Sequence, residues 1–235
     1  LKFSSFPAYL QASRSPLAGL VLALPLGVFY HVGTFVLFHD RSYALRNSVD
    51  VFFRELFPSH AGWGYALFLV IAVSVLAVVF YWLQRRGAHP PLRASVLLGA
   101  VLEGIGWGIV LALVLHRLTS SSGAGRPGLV DLNLALGAAV YEELLFRVLL
   151  IGALKHLLHY GFKLSSPSAW IGAIPLAAVG FAGYHLFLEP FVLSRFLVRF
   201  LAGVMLGGLY LKRGYGITVY AHLTADIGSL LGGVF

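Results

Sequence analysis

Val140-Tyr141-Glu142-Glu143-Leu144-Leu145-Phe146-Arg147-Val148-Leu149-Leu150 places three charged side chains in the middle of an apolar run. With its flanks, 131–154, the run reaches the roughly 20 residues that a membrane-spanning helix needs. On a helix, Glu143 and Arg147 stand four residues apart, share a face and are placed to form an ion pair. Glu142 points about 100° away from Glu143 and is the carboxylate left over. The rest of the chain agrees with a membrane reading. Of 235 residues, 59% are hydrophobic and 11% charged, against about 25% charged in soluble domains. Mean hydropathy is +0.86. This composition excludes a soluble enzyme, a disordered chain and a nucleic-acid binder. The net charge of +8 comes from basic residues set mostly between apolar runs, where they act as topology determinants and headgroup contacts. There is no cysteine, so thiol catalysis, disulfides and Cys-ligated metal are excluded.

Apolar runs at 17–38, 63–84, 94–116, 131–154, 168–187, 191–211 and 216–235 predict an all-α, polytopic transmembrane helix bundle of about seven spans. A polar cavity is expected among the last four. The Ser/Gly-rich linker 119–127 divides a three-span N-terminal region, 1–122, from a four-span region, 123–235. In the polar stretch 39–62, the segment Val51–Phe57 has the pattern of a helix lying flat at the interface. Gly104/Gly108, Gly203/Gly207 and Gly228/Gly232 have the spacing that lets two helix backbones approach closely.

Of nine acidic residues, Glu103, Glu142, Glu143 and Asp226 fall inside predicted spans, as do Arg147, His185 and His222. Each charge at mid-membrane costs about 2.5–3.5 kcal/mol even on a lenient scale, so these groups must pair, neutralise or face water. Glu143 and Arg147 suit a clamp. Glu142, left free, suits a general base. Phe181 and His185 are four residues apart, so the ring can brace the imidazole and contact a substrate. His222 and Asp226 are four apart as well, and an Asp beside a His fixes its tautomer or favours the imidazolium. Glu103 has three open fates: facing the same cavity, pairing with Arg147, or lying protonated in a helix interface.

The three motifs Glu142-Glu143-x-x-x-Arg147, Phe181-x-x-x-His185 and His222-x-x-x-Asp226, in this order, resemble the CPBP (Abi) family of intramembrane glutamate proteases, which includes the type II CAAX prenyl proteases. The resemblance covers about 131–235. It implies a membrane endopeptidase in which Glu142 activates a water with help from His185. His222 and residue 226 would stabilise the oxyanion, and Glu143 and Arg147 would organise the site. Position 226 is Asp where the prenyl-protease branch commonly has Asn. An ionised Asp cannot donate to an oxyanion, so His222 is expected to donate while Asp226 holds it. No cofactor is implied. The expected substrate is a membrane-anchored or lipidated protein or peptide, in the bilayer of a bacterial cytoplasmic membrane, with tail trimming of the myxosortase kind as one form. Oxygen and nitrogen side chains of this set are also reasonable ligands for Zn or Mn, although Arg147 would compete with a cation. His-Glu-x-x-His, Gly-x-Ser and Gly-x-Gly-Asp are all absent from the sequence. The alternatives are a non-catalytic scaffold of the same fold or a proton-coupled transporter. His185 and His222 sit at opposite ends of their predicted spans, so the apolar connection 186–191 is expected to dip into the membrane to bring them together.

Overall fold

The computed structural model describes residues 5–37, 46–55, 92–118, 128–187 and 189–232, with isolated positions 70, 74, 75, 78 and 82. The expected second span, 63–84, and the linker 119–127 therefore lie largely outside the described residues. Those described form helices and connections, with no strand. Helix α1 (Phe6–Ser13) is capped by the Ser5 hydroxyl, which accepts from the Ala8 N–H. It leads into α2 (Pro16–Leu37). A short α3 (Ser48–Glu55) follows, and then the long α4 (Ala94–Leu118).

Helix α5 (Leu129–Glu143) is capped by the Asp131 carboxylate, which accepts from the Gly128 N–H. It runs on without a break into π-helical turns (Leu144–Ile151), α6 (Gly152–His156) and a second π stretch (Leu157–Gly161). Then come α7 (Ser166–Tyr184) with a closing 3-10 turn (His185–Phe187), α8 (Leu193–Arg213) and α9 (Tyr215–Gly232).

Among the described residues, four helices are long and apolar enough to cross a membrane: Pro16–Leu37, Ala94–Leu118, Ser166–Phe187 and Leu193–Arg213. Each keeps large apolar side chains on its outer face, such as Phe29, Leu113, Ile171 and Leu197. In a soluble protein such a surface would be a liability, whereas in a bilayer it is the solvated side. The helices that carry Glu142, Glu143, Arg147 and His222, α5 with its continuation and α9, pack against this set. Helix α9 is the hub and touches α2, α4, α5 and α8.

The small-residue spacing explains how tightly the hub is held. A Cβ added at Gly104 would lie 2.6 Å from Tyr220 Cβ, and one at Gly108 would lie 2.4 Å from Thr224 Cβ. Backbones of α4 and α9 thus meet with no room for a side chain between them. Gly203 and Gly207 do the same against Ala178 and Ile174 of α7.

The connection after α7 differs from the expected inward dip. Phe187 is 89% exposed and Phe191 62% exposed, so the segment does not fold back into the bundle. Helix α7 ends instead in its 3-10 turn. Glu189 ties the connection to α8 through ion pairs with Arg195, at 2.8 Å, and with Arg199. The expected interfacial segment Val51–Phe57 corresponds to α3, which starts earlier and is anchored by fully buried Val49 and Asp50.

Candidate active site

Glu142 and Glu143 end α5, where the helix opens into its π-helical turns, and Arg147 lies one turn on. π-Helical turns are rare and recur at functional sites. Glu143 and Arg147 are both fully buried. Arg147 Nε approaches Glu143 Oε2 to 3.1 Å, the i, i+4 pairing expected from the sequence. The widened turns leave that approach off the hydrogen-bonding line. Among the described residues, no acceptor meets any of the three guanidinium nitrogens. The guanidinium carbon sits 4.8 Å from the centre of the Phe181 ring, an electrostatically favourable place for a cation.

The other Glu143 oxygen, Oε1, accepts from His222 Nδ1 at 2.8 Å. A carbonyl or carboxylate oxygen can only accept, so Nδ1 carries a proton and Nε2 is the nitrogen turned toward the remaining carboxylates. Nε2 stands 4.0 Å from Glu142 Oε2 and 3.5 Å from Asp226 Oδ2. The hydrogen bond that orients His222 therefore comes from Glu143, not from its helical neighbour Asp226. Helix α9 delivers both His222 and Asp226. Its close approach to α4 fixes their depth.

Glu142 is not free, as its place in the sequence had suggested. Its Oε1 accepts from Asn47 Nδ2 at 3.0 Å, and the residue is 5% exposed. Asn47 lies just ahead of α3, in a stretch whose many polar residues gave no reason to single it out. Phe181 is buried and wedged between the two histidines, with ring centroids 5.1 Å from His185 and 6.2 Å from His222. His185 opens the 3-10 turn and its Nδ1 donates to the Phe181 carbonyl at 2.9 Å. Phe181 spans the gap that the predicted inward dip was meant to close.

Glu103 takes none of its three expected fates. It pairs with Arg213, whose Nε and Nη2 meet its two oxygens at 2.5 and 2.8 Å, and Tyr9 donates to it at 2.6 Å. Among the described residues, no group of three His, Asp or Glu side chains is arranged to hold a metal ion.

The cluster thus holds three carboxylates against two basic side chains, Arg147 and His222. All three carboxylates lie within 4.0 Å of a His222 ring nitrogen, and Glu143 also meets Arg147. Glu142 meets only a neutral amide at hydrogen-bond distance.

The family model described as Type II CAAX prenyl endopeptidase Rce1-like matches residues 127–228. No curated protein and no solved structure matches the chain. The matched segment, less than half of the chain, contains Glu142, Glu143, Arg147, Phe181, His185, His222 and Asp226, and is similar to that family.

Proposed function

We propose that the chain is a membrane-embedded endopeptidase that hydrolyses a peptide bond near the membrane surface, with Glu142 as the base that activates water. The observation that carries this reading is the gap between Glu142 Oε2 and His222 Nε2, 4.0 Å wide. Two groups at that separation both reach one oxygen at ordinary hydrogen-bond distance, about 2.8 Å. Glu142 takes a proton from the water, whose oxygen attacks the carbonyl carbon. The His222 Nε2–H, which first holds the water, then donates to the carbonyl oxygen as it becomes negative. Aimed donors of this kind contribute about 3–4 kcal/mol to a transition state. Glu142 then returns its proton to the departing amine.

Glu143 and Asp226 provide counter-charges at the two nitrogens of the His222 imidazolium, and Arg147 offsets Glu143. Phe181 braces both histidines. His185, with Nδ1 committed to the Phe181 carbonyl, offers Nε2 to the water or the leaving group. The substrate class that fits is a prenylated, otherwise lipidated or membrane-inserted protein, cut in its tail or anchor. The proposed location is a multi-pass place in a bacterial cytoplasmic membrane.

The test is cleavage of tagged tail-anchored and lipidated substrates in membranes, comparing the native protein with Glu142→Gln, with and without a chelator. Cleavage lost in the variant and insensitive to chelator supports the reading. Equal cleavage by both proteins rejects the role of Glu142, and loss with chelator alone replaces it with a metal mechanism.

A further inference from the structure

We propose that Asn47 is a positioning residue for Glu142, supplied by the N-terminal half of the chain from outside the matched region. This rests on the reading of Glu142 as the base. The Asn47 amide has only one way to point. Its Oδ1 accepts from the Val49 N–H at 2.9 Å at the start of α3, which leaves Nδ2 to donate to Glu142. The Asn47 backbone N–H donates to the Tyr30 hydroxyl at 3.1 Å. That hydroxyl donates to Asp50 at 2.9 Å, and Arg46 meets the same Asp50 oxygen at 2.9 Å. Tyr30 and Asp50 are fully buried.

A side chain tethered at its oxygen and at its backbone cannot swing away, so its N–H is a fixed donor. It holds Glu142 Oε1 and turns Oε2 toward His222. A neutral donor does this without the charge of an arginine, which would hold the carboxylate as an ion pair and blunt it as a base. Helix α3 packs on α5 and acts as the strap that presents this amide.

Two variants separate the donor from the fold. Asn47→Asp keeps the oxygen that caps α3 and loses the donor. Asn47→Leu keeps the approximate shape and loses both. The readout is labelling of Glu142 by dicyclohexylcarbodiimide, which reacts with protonated carboxyls in apolar surroundings, in the full-length protein in lipid nanodiscs. The site is read by peptide mass spectrometry across pH 5–9. Removing one hydrogen bond to a charged acceptor is expected to raise Glu142 labelling at neutral pH roughly tenfold in both variants. Glu103 labelling stays within about twofold and serves as the internal standard.

Unchanged Glu142 labelling in both variants overturns the proposal. So does a parallel rise at Glu103, which would mean that the whole bundle had loosened. In the cleavage assay, Asn47→Asp is expected to lower kcat with little change in KM. A uniform KM effect would overturn the positioning role. Labelling needs no substrate, so it reports the contact by itself, whereas cleavage surviving in Glu142→Gln would sink the reading of Glu142 as the base.

Discussion

Two carboxylate–arginine pairs of this bundle, Glu103–Arg213 and Glu143–Arg147, are finished differently. Arg213 makes two hydrogen bonds to Glu103, one to Ser13 Oγ at 2.9 Å and one to the Leu10 carbonyl at 3.4 Å. Tyr9 completes the carboxylate. Arg147 approaches Glu143 once, and none of its nitrogens meets an acceptor among the described residues. Buried polar groups are almost always satisfied, so each exception calls for a reason. The first pair joins α1, α4 and α8 and has nothing left to do. The second sits where two further carboxylates and an imidazole converge, at the site proposed for the chemistry.

The largest effect expected from breaking this contrast is on the chemical side. Glu142→Gln keeps the shape and removes the base, so cleavage falls by about 10³-fold, within the range for a lost general base. Its unfolding midpoint in detergent stays at that of the native protein. On the structural side the effect inverts. Arg213→Met leaves Glu103 without its partner. A fully buried pair broken this way costs about 3–5 kcal/mol. The Glu103 side chain is 24% exposed, so about 2–3 kcal/mol is expected here. Denaturant titration reads the loss, while cleavage per folded molecule is unchanged.

Gly108→Ala tests whether the two pairs are linked through the hub. Its methyl would meet Thr224 Cβ at 2.4 Å and the Ala221 carbonyl at 2.6 Å. Overpacking of this kind costs about 1–3 kcal/mol. Because Ala221 and Thr224 flank His222, both stability and cleavage should fall together.

The smallest effect is at the surface. Burial pushes the Glu189 carboxyl up, but hydrogen bonds and charge from Arg199 and Arg195 outweigh it and hold the group below the ordinary carboxylate range. A depressed carboxyl contributes stability above its unfolded value, near 4, that is lost as pH falls through the folded one. For an exposed pair this is under about 1 kcal/mol. Glu189→Gln should remove that acid-side slope from a stability-against-pH curve and change little at pH 7.

The parts that sequence reasoning reached are those governed by local spacing. An i, i+4 rule is enough to pair Glu143 with Arg147 and to set His222 beside Asp226. The glycine spacing is enough to mark the face of α4 that another helix approaches, though not that the helix is α9. What it missed lies at long range. Nothing in the run around Asn47 distinguishes that amide from its polar neighbours, because its role depends on a glutamate 95 residues away. Glu103 and Arg213 are 110 residues apart, and no periodicity links them. The π-helical turns after Glu143 were also hidden, since Leu144–Ile151 reads as an ordinary apolar helix. The handover of His222 from Asp226 to Glu143 follows from those turns and from the depth of α9, which are properties of the packed bundle.

The bond from Arg213 to Ser13 spans 200 residues, and this has a consequence for biogenesis. During synthesis the first helix emerges long before its anchor exists. Closing a segment of that length carries an entropic cost that grows only slowly with length, but the delay is set by the ribosome, at about 5–20 residues per second. For the ten seconds or more that this implies, α1 must rest on lipid or on the insertion machinery. Helix α1 is made well before α8 and completes its docking only after it.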